Sequence, residues 1–326
     1  MCVGHISSAR VLPAVILWAV ALAGCGEAAS PGPTPLSTSV QRLAWEFAGQ
    51  RGERLVTAHY DIHTTSRSRE LQSSLPGFME AGYEHYCRLT GLAPGVPRGP
   101  MPVYVLGTRP EWVRMTEQLT GPRSGQFTAV ENGGYCHEGV CVFWDMGLLG
   151  TFTIAAHEGL HQFLHHRLRE GLPAWTEEGL SVAAEGFELS GAGARFRPES
   201  NSIRLANLHA QLAGGRWIPL RTLLSTDAGD HVGPSAAGTE YYGQLWSLLL
   251  LLRSRPEYRR GLERLIADAA EGRLREALKV PTSMGAGRAY HRGIGQAVFQ
   301  RYIEPDLDAF ERQWQVHARA LARLRP

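Results

Sequence analysis

The stretch that decides the reading is Thr151-Phe152-Thr153-Ile154-Ala155-Ala156-His157-Glu158-Gly159-Leu160-His161-Gln162-Phe163-Leu164-His165-His166-Arg167, and it is answered by Leu172-Pro173-Ala174-Trp175-Thr176-Glu177-Glu178-Gly179-Leu180. Apolar residues recur at helical spacing from Thr151 to Arg169 between Gly150 and Gly171, so His157-Glu158-Gly159-Leu160-His161 is an H-E-x-x-H sequence on a helix. Histidines four apart stand one turn above each other on one face. Both imidazoles can therefore reach one Zn2+, and Glu158 beside them can address a water activated by that ion. Two histidines need a third ligand, and Pro173 can open a second helix that carries carboxylates back towards the first. On that helix Trp175, Glu178 and Val182 share the inward face, whereas Glu177 falls with Ala174, Ser181 and Ala184, so Glu178 is the candidate ligand. Glu185, two turns beyond Glu178, is either a carboxylate that accepts from a ligand imidazole or a solvated helix-end group. Two histidines and a carboxylate suit zinc, and other divalent ions accept the same donors.

Working outward, the N-terminal half mixes strands and helices. Val56, Ala58, Tyr60 and Ile62 alternate between Arg54 and His63, which predicts a half-buried strand, and Pro102 to Gly107 predicts another. Helices are expected over Glu70 to Leu89 and Arg109 to Leu119, followed by a hairpin region from Gln126 to Trp144. After Leu149 the expected elements are helical: Thr151 to Arg169, Ala174 to Glu185, Tyr241 to Leu252, Tyr258 to Ala270 and Asp306 to Leu324. Phe187 to Pro219 and Ser225 to Thr239 read as long irregular connections of the kind that shape a cleft. The fold class is α+β, with one domain expected over 46–326, made of sub-domains at 46–169 and 170–326. The leucine run Leu248 to Leu252 is far too short for a membrane span and reads as a buried helix.

The chain begins with an address. Arg10 closes a weakly basic start, Val11 to Ala23 is apolar apart from Pro13, and Leu22-Ala23-Gly24-Cys25 resembles a bacterial lipobox. A lipoprotein signal over residues 1–24 would leave Cys25 lipidated, with 25–45 a flexible tether rich in small residues and proline; plain secretion is the alternative. The expected location is the cell envelope, facing outside the cytoplasm. In that oxidising compartment Cys87, Cys136 and Cys141 remain, and Cys136 and Cys141 can face each other across a tight hairpin, as a disulfide or as two small buried thiols. With 33 basic and 31 acidic residues the formal charge is only +2, which gives no pointer to nucleic acid.

H-E-x-x-H followed by Trp-x-x-Glu-Gly resembles the gluzincin metallopeptidases, most closely the bacterial peptidase-MA-like proteins, many of them secreted or lipid-anchored. His59-Tyr60-Asp61-Ile62-His63-Thr64 before a long helix, Tyr242-Gly243-Gln244-Leu245-Trp246 opening an apolar helix, and the Asp306 to Trp314 ending are similar to that family's layout. The resemblance implies a zincin-like catalytic core in which His157, His161 and Glu178 bind zinc and Glu158 is the general base of peptide hydrolysis. It also places a tyrosine before Gln-x-Trp, which makes Tyr242 the candidate donor to the oxyanion, with Tyr241 its neighbouring alternative and a core tyrosine the plain reading. The implied substrate is a peptide or protein. The competing function is a zinc-binding or metal-free surface lipoprotein that uses the fold as a binding module.

Overall fold

The computed structural model describes residues 32–95, 99–130, 133–191, 193–231, 237–280 and 287–323; the expected signal, Cys25 and the start of the tether lie outside them. In chain order the elements are β1 Gln41–Phe47, β2 Gln50–Val56, β3 Tyr60–Thr64, α1 Arg69–Thr90, β4 Met101–Leu106, α2 Arg109–Thr120, α3 Ser124–Thr128, β5 Tyr135–His137, β6 Val140–Trp144 and α4 Leu148–Arg167. There follow α5 Ala174–Ala184, β7 Phe187–Ser190, β8 Gly193–Phe196, α6 Ser202–Ala213, α7 Leu220–Ser225, α8 Ala228–His231 and α9 Ala237–Ser254. The chain ends with α10 Pro256–Glu271, α11 Leu274–Leu278, α12 Arg288–Gly293, α13 Gly295–Tyr302 and α14 Leu307–Leu321. The class is α+β, with the sheet N-terminal and the helices mostly C-terminal.

The main sheet runs β1-β2-β3-β4-β6-β5. β3, β4 and β6 are parallel, and the outer pairs are antiparallel. A parallel neighbour cannot be reached by a tight turn, so α1 forms the crossover from β3 to β4. Its start is fixed by Ser68, whose side chain accepts from Leu71 N, and its end by Gly91 at φ 73°. One face of the sheet, carrying Leu55, Tyr60, Ile62, Val103, Val105, Cys141 and Phe143, packs on α1 and α4. The other face carries Leu106, Val142 and Trp144 against Trp112 and Met115 of α2. β6 is thus covered on both sides, which is why Val140-Cys141-Val142-Phe143-Trp144 reads as an unbroken apolar run.

Several expectations change. The single strand over Arg54 to His63 is two strands joined at Thr57–His59, where Thr57 N donates to Tyr60 O at 2.9 Å. The turn also shifts the alternation, so that Leu55 faces the core while Val56 and Ala58 do not. The tether expected to reach residue 45 ends earlier: Thr34 and Ala194 exchange backbone hydrogen bonds of 2.8 and 3.0 Å, and β1 begins at Gln41. The irregular connection expected over Phe187 to Pro219 contains the β7–β8 hairpin and α6, which starts at the Asn201 cap. Residues 33–326 form one compact unit, with α1 packed on both α4 and α5. No helix among the described residues is long and apolar enough to cross a membrane.

Candidate metal centre

The site stands where α4 and α5 meet. α4 stops at Arg167, Leu168 turns extended, and Pro173 caps the start of α5, so the second helix returns across the first. Two glycines bring the surrounding helices close. A Cβ on Gly159 would lie 2.6 Å from the Tyr86 hydroxyl, which from α1 donates to Ala156 O at 2.9 Å. A Cβ on Gly179 would lie 2.2 Å from Leu249 of α9, so α9 rides directly against α5 and delivers Tyr242 to the cleft. Trp175 is fully buried, donates to Gly295 O and meets Phe299, which makes it a packing residue.

His157, His161 and Glu178 converge as expected. Nε2 of His157 lies 3.3 Å from Nε2 of His161, and Glu178 Oε2 is 3.5 Å from the first and 3.8 Å from the second. Donors held about 2.0–2.2 Å from a tetrahedral ion stand about 3.3–3.6 Å apart, so this triangle fits one metal. Glu178 Oε2 is buried and has no hydrogen-bond partner, which suits a donor to a cation. Among the described residues this is the group of histidine, cysteine and acidic side chains able to hold an ion.

The outer nitrogens of both imidazoles face carboxylates. His157 Nδ1 meets Glu185 Oε1 at 2.8 Å, and His161 Nδ1 lies 3.6 Å from Glu177 Oε1. Glu185 is thus the partner of the His157 imidazole and not a solvated helix end, since its side chain is 2% exposed. Burial works against protonation of His157, but Glu178 and Glu185 outweigh it and raise its pKa to about 9. For His161 burial is again overcome, by Glu177 and Glu178, and the value rises to about 10. Burial lifts the Glu158 carboxyl above its usual range against the pull of the two histidines. Glu185 is driven the other way, to about 2, because Arg204 and His157 more than offset its burial.

Glu158 and Tyr242 line the same cavity of about 320 Å³ with the three donors, Glu138, Glu177 and His165. The ring of Tyr242 stands edge-on to His157 at 6.0 Å and 88°. Tyr241 is fully buried and stacked on His231 instead, so of the two tyrosines Tyr242 faces the site. His165 borders this cavity and an adjoining one of about 380 Å³. Edge strand β5 closes one side of the cleft with Gly134, Tyr135 and Cys136. A larger cavity of about 850 Å³, lined by Ser225, Arg292 and Gln296, has no metal-ligating side chain on its wall.

Cys136 and Cys141 stand opposite each other across the β5–β6 turn, where Glu138 and Gly139 both have positive φ, 50° and 77°. Of the two readings the sequence left open, a disulfide or two thiols, both cysteines are free thiols here, Cys141 buried and Cys136 half-buried. Cys141 Sγ is instead directed at α4 and donates to Glu158 O at 3.1 Å, and burial holds its pKa well above that of an ordinary thiol. What the sequence reading missed is Arg204, whose fork grips Glu185. Only the Asn201 cap and the Leu205–Leu208 spacing gave a local signal that a helix lay there. No family model, no curated protein and no solved structure matches this chain.

Proposed function

We propose that the chain is a zinc-dependent metallopeptidase of the gluzincin type, built on a zincin-like core and held at the cell envelope by a lipid on Cys25. The observation that carries the reading is the triangle of His157 Nε2, His161 Nε2 and Glu178 Oε2, sharing one cavity with the Glu158 carboxylate. His157, His161 and Glu178 would hold the zinc, which when bound supplies a Lewis acid that makes water nucleophilic near neutral pH and polarises a carbonyl.

The remaining chemistry belongs to the chain. Glu158 is half-buried beside the ligands, and its raised proton affinity suits a group that takes a proton from the attacking water and hands it to the leaving amine. Tyr242 keeps its phenol protonated, since burial and the nearby Glu178 push its pKa well above the ordinary value, so it can donate to a developing oxyanion. Edge strand β5 borders the cleft, and the free side of such a strand suits an extended peptide backbone.

The test is elemental analysis of the purified protein after dialysis, followed by hydrolysis of a peptide mixture with and without chelator. About one zinc per chain, with cleavage that stops on chelation and returns with zinc, is the expected result. A chain that takes up no zinc on reconstitution overturns the proposal. Mass spectrometry of the mature N-terminus tests the anchor separately: a diacylglycerol-modified Cys25 supports it, and an unmodified N-terminus elsewhere rejects it.

A further inference from the structure

We infer that Arg204 is a positioning residue of the metal centre, which fixes the orientation of His157 through Glu185; the inference rests on the zinc reading above. Arg204 lies in the first turn of α6, and its Nε and Nη2 donate to Glu185 Oε2 and Oε1 at 2.8 and 2.7 Å. Glu185 Oε1 is the atom that meets His157 Nδ1 at 2.8 Å, and Oε2 accepts a further bond of 3.1 Å from Asn201 Nδ2. Each oxygen of this buried carboxylate is therefore engaged twice, and the carboxyl plane has one orientation. That plane sets the direction of the imidazole, and hence where Nε2 points.

Arg204 is itself held at its backbone and at its guanidinium. Asn201 caps α6 by accepting from Arg204 N at 3.1 Å, which ties the backbone of Arg204 to the same asparagine that donates to Glu185. On the far side the ring of Tyr242 lies 4.8 Å from the guanidinium carbon. A planar fork against a carboxylate is a geometry that lysine does not reproduce, because an ammonium is a point charge without a preferred plane. Without the fork, Glu185 keeps its burial but loses two of its four bonds and its cationic neighbour.

The experiment is a competition titration of the metal-free full chain with zinc against a chromophoric chelator. It compares wild type with Arg204→Met, Arg204→Lys, Glu185→Gln and the double variant Arg204→Met/Glu185→Gln, alongside the visible spectrum of each cobalt(II)-loaded protein. Arg204→Met should weaken zinc binding by about 10–100-fold and alter the cobalt spectrum. Arg204→Lys should recover only part of the loss, and the double variant should bind no more weakly than Glu185→Gln. A role confined to folding would lower the melting temperature while leaving the zinc dissociation constant and the cobalt spectrum in place, and that result overturns the inference. So does a double variant whose loss equals both single losses combined. If Arg204→Met does not fold, Arg204→Lys decides: wild-type affinity with a wild-type cobalt spectrum rejects the role of the fork. A wild-type chain that binds no zinc rejects the zinc reading itself, whereas a zinc-binding chain indifferent to Arg204 rejects this inference alone.

Discussion

His85 on α1 and the pair His157 and His161 on α4 are all largely withdrawn from solvent, and their surroundings treat them in opposite ways. On α1, His85 is 5% exposed, stacks on Phe196 at 4.8 Å, and has no hydrogen-bond partner at Nε2. Burial, with Arg88 and Arg253 adding to it, lowers its pKa to about 3, so it packs as a neutral aromatic ring. On α4, His157 and His161 are raised to about 9 and about 10. Desolvation opposes charge in both regions, so the difference comes from the partners. Around the α4 pair stand Glu158, Glu177, Glu178 and Glu185, with Arg204 as the neighbouring guanidinium. A buried site with that surplus of negative charge is stabilised by a cation, either two added protons or a metal ion. A histidine in a core therefore signals function through its partners and not through its burial.

The strongest way to break the contrast is to remove the one carboxylate oxygen that faces both imidazoles. Glu178→Ala should weaken zinc binding by more than about 100-fold and abolish hydrolysis, while Glu177→Ala, which touches only the outer side of His161, keeps most of its zinc. Metal content after dialysis measures both. Equal retention by the two variants would mean that Glu178 is a partner of protonated histidines and nothing more. Next in size, Glu158→Gln should keep the metal and lower the hydrolytic rate by about 10²–10⁴-fold, read as turnover per bound zinc. A smaller drop, about 10²-fold in turnover with little change in metal content, is expected for Tyr242→Phe, which retains the ring that backs Arg204. Loss of zinc in Tyr242→Phe would show that the phenol belongs to the ligand set.

How much of this was legible depended on how far apart the partners lie in sequence. His157 and His161 are related by one helical turn, so their shared face could be read before any folding was known, whereas the period of α5 told less, because Ser181 and Ala184 are as buried as Trp175 and Val182. The pairing of Glu178 with the histidines needed only the short return through Pro173. Arg204 on Glu185 and Tyr86 against Gly159 could not be read this way, because contacts between distant segments leave no periodicity. β1 was invisible for a different reason: Gln41 to Ala44 are exposed on both faces, so the strand lacks the alternation that marks one. The alternation over Val56, Ala58, Tyr60 and Ile62 misled because a turn at Thr57–His59 changes which face is inward.

The smallest test addresses the other side of the comparison. The folded pKa of His85, about 3, lies below its ordinary value of 6.5, so below pH 6.5 the unfolded chain binds a proton that the folded chain refuses. Its contribution to stability is complete above pH 6.5 and is lost as the pH falls towards 3, at about 1.4 kcal/mol per pH unit. At pH 5 that amounts to about 2 kcal/mol. His85→Phe preserves the stacked ring on Phe196 and removes the titration, so its stability at pH 7.5 should stay within about 1.5 kcal/mol of wild type. Denaturant melts of metal-free protein at pH 7.5 and pH 5 measure the difference: the wild type should lose more stability on acidification than His85→Phe, by about 2 kcal/mol. Equal losses would mean that the α1 pocket admits a charged imidazole, and the contrast with α4 would then be one of degree.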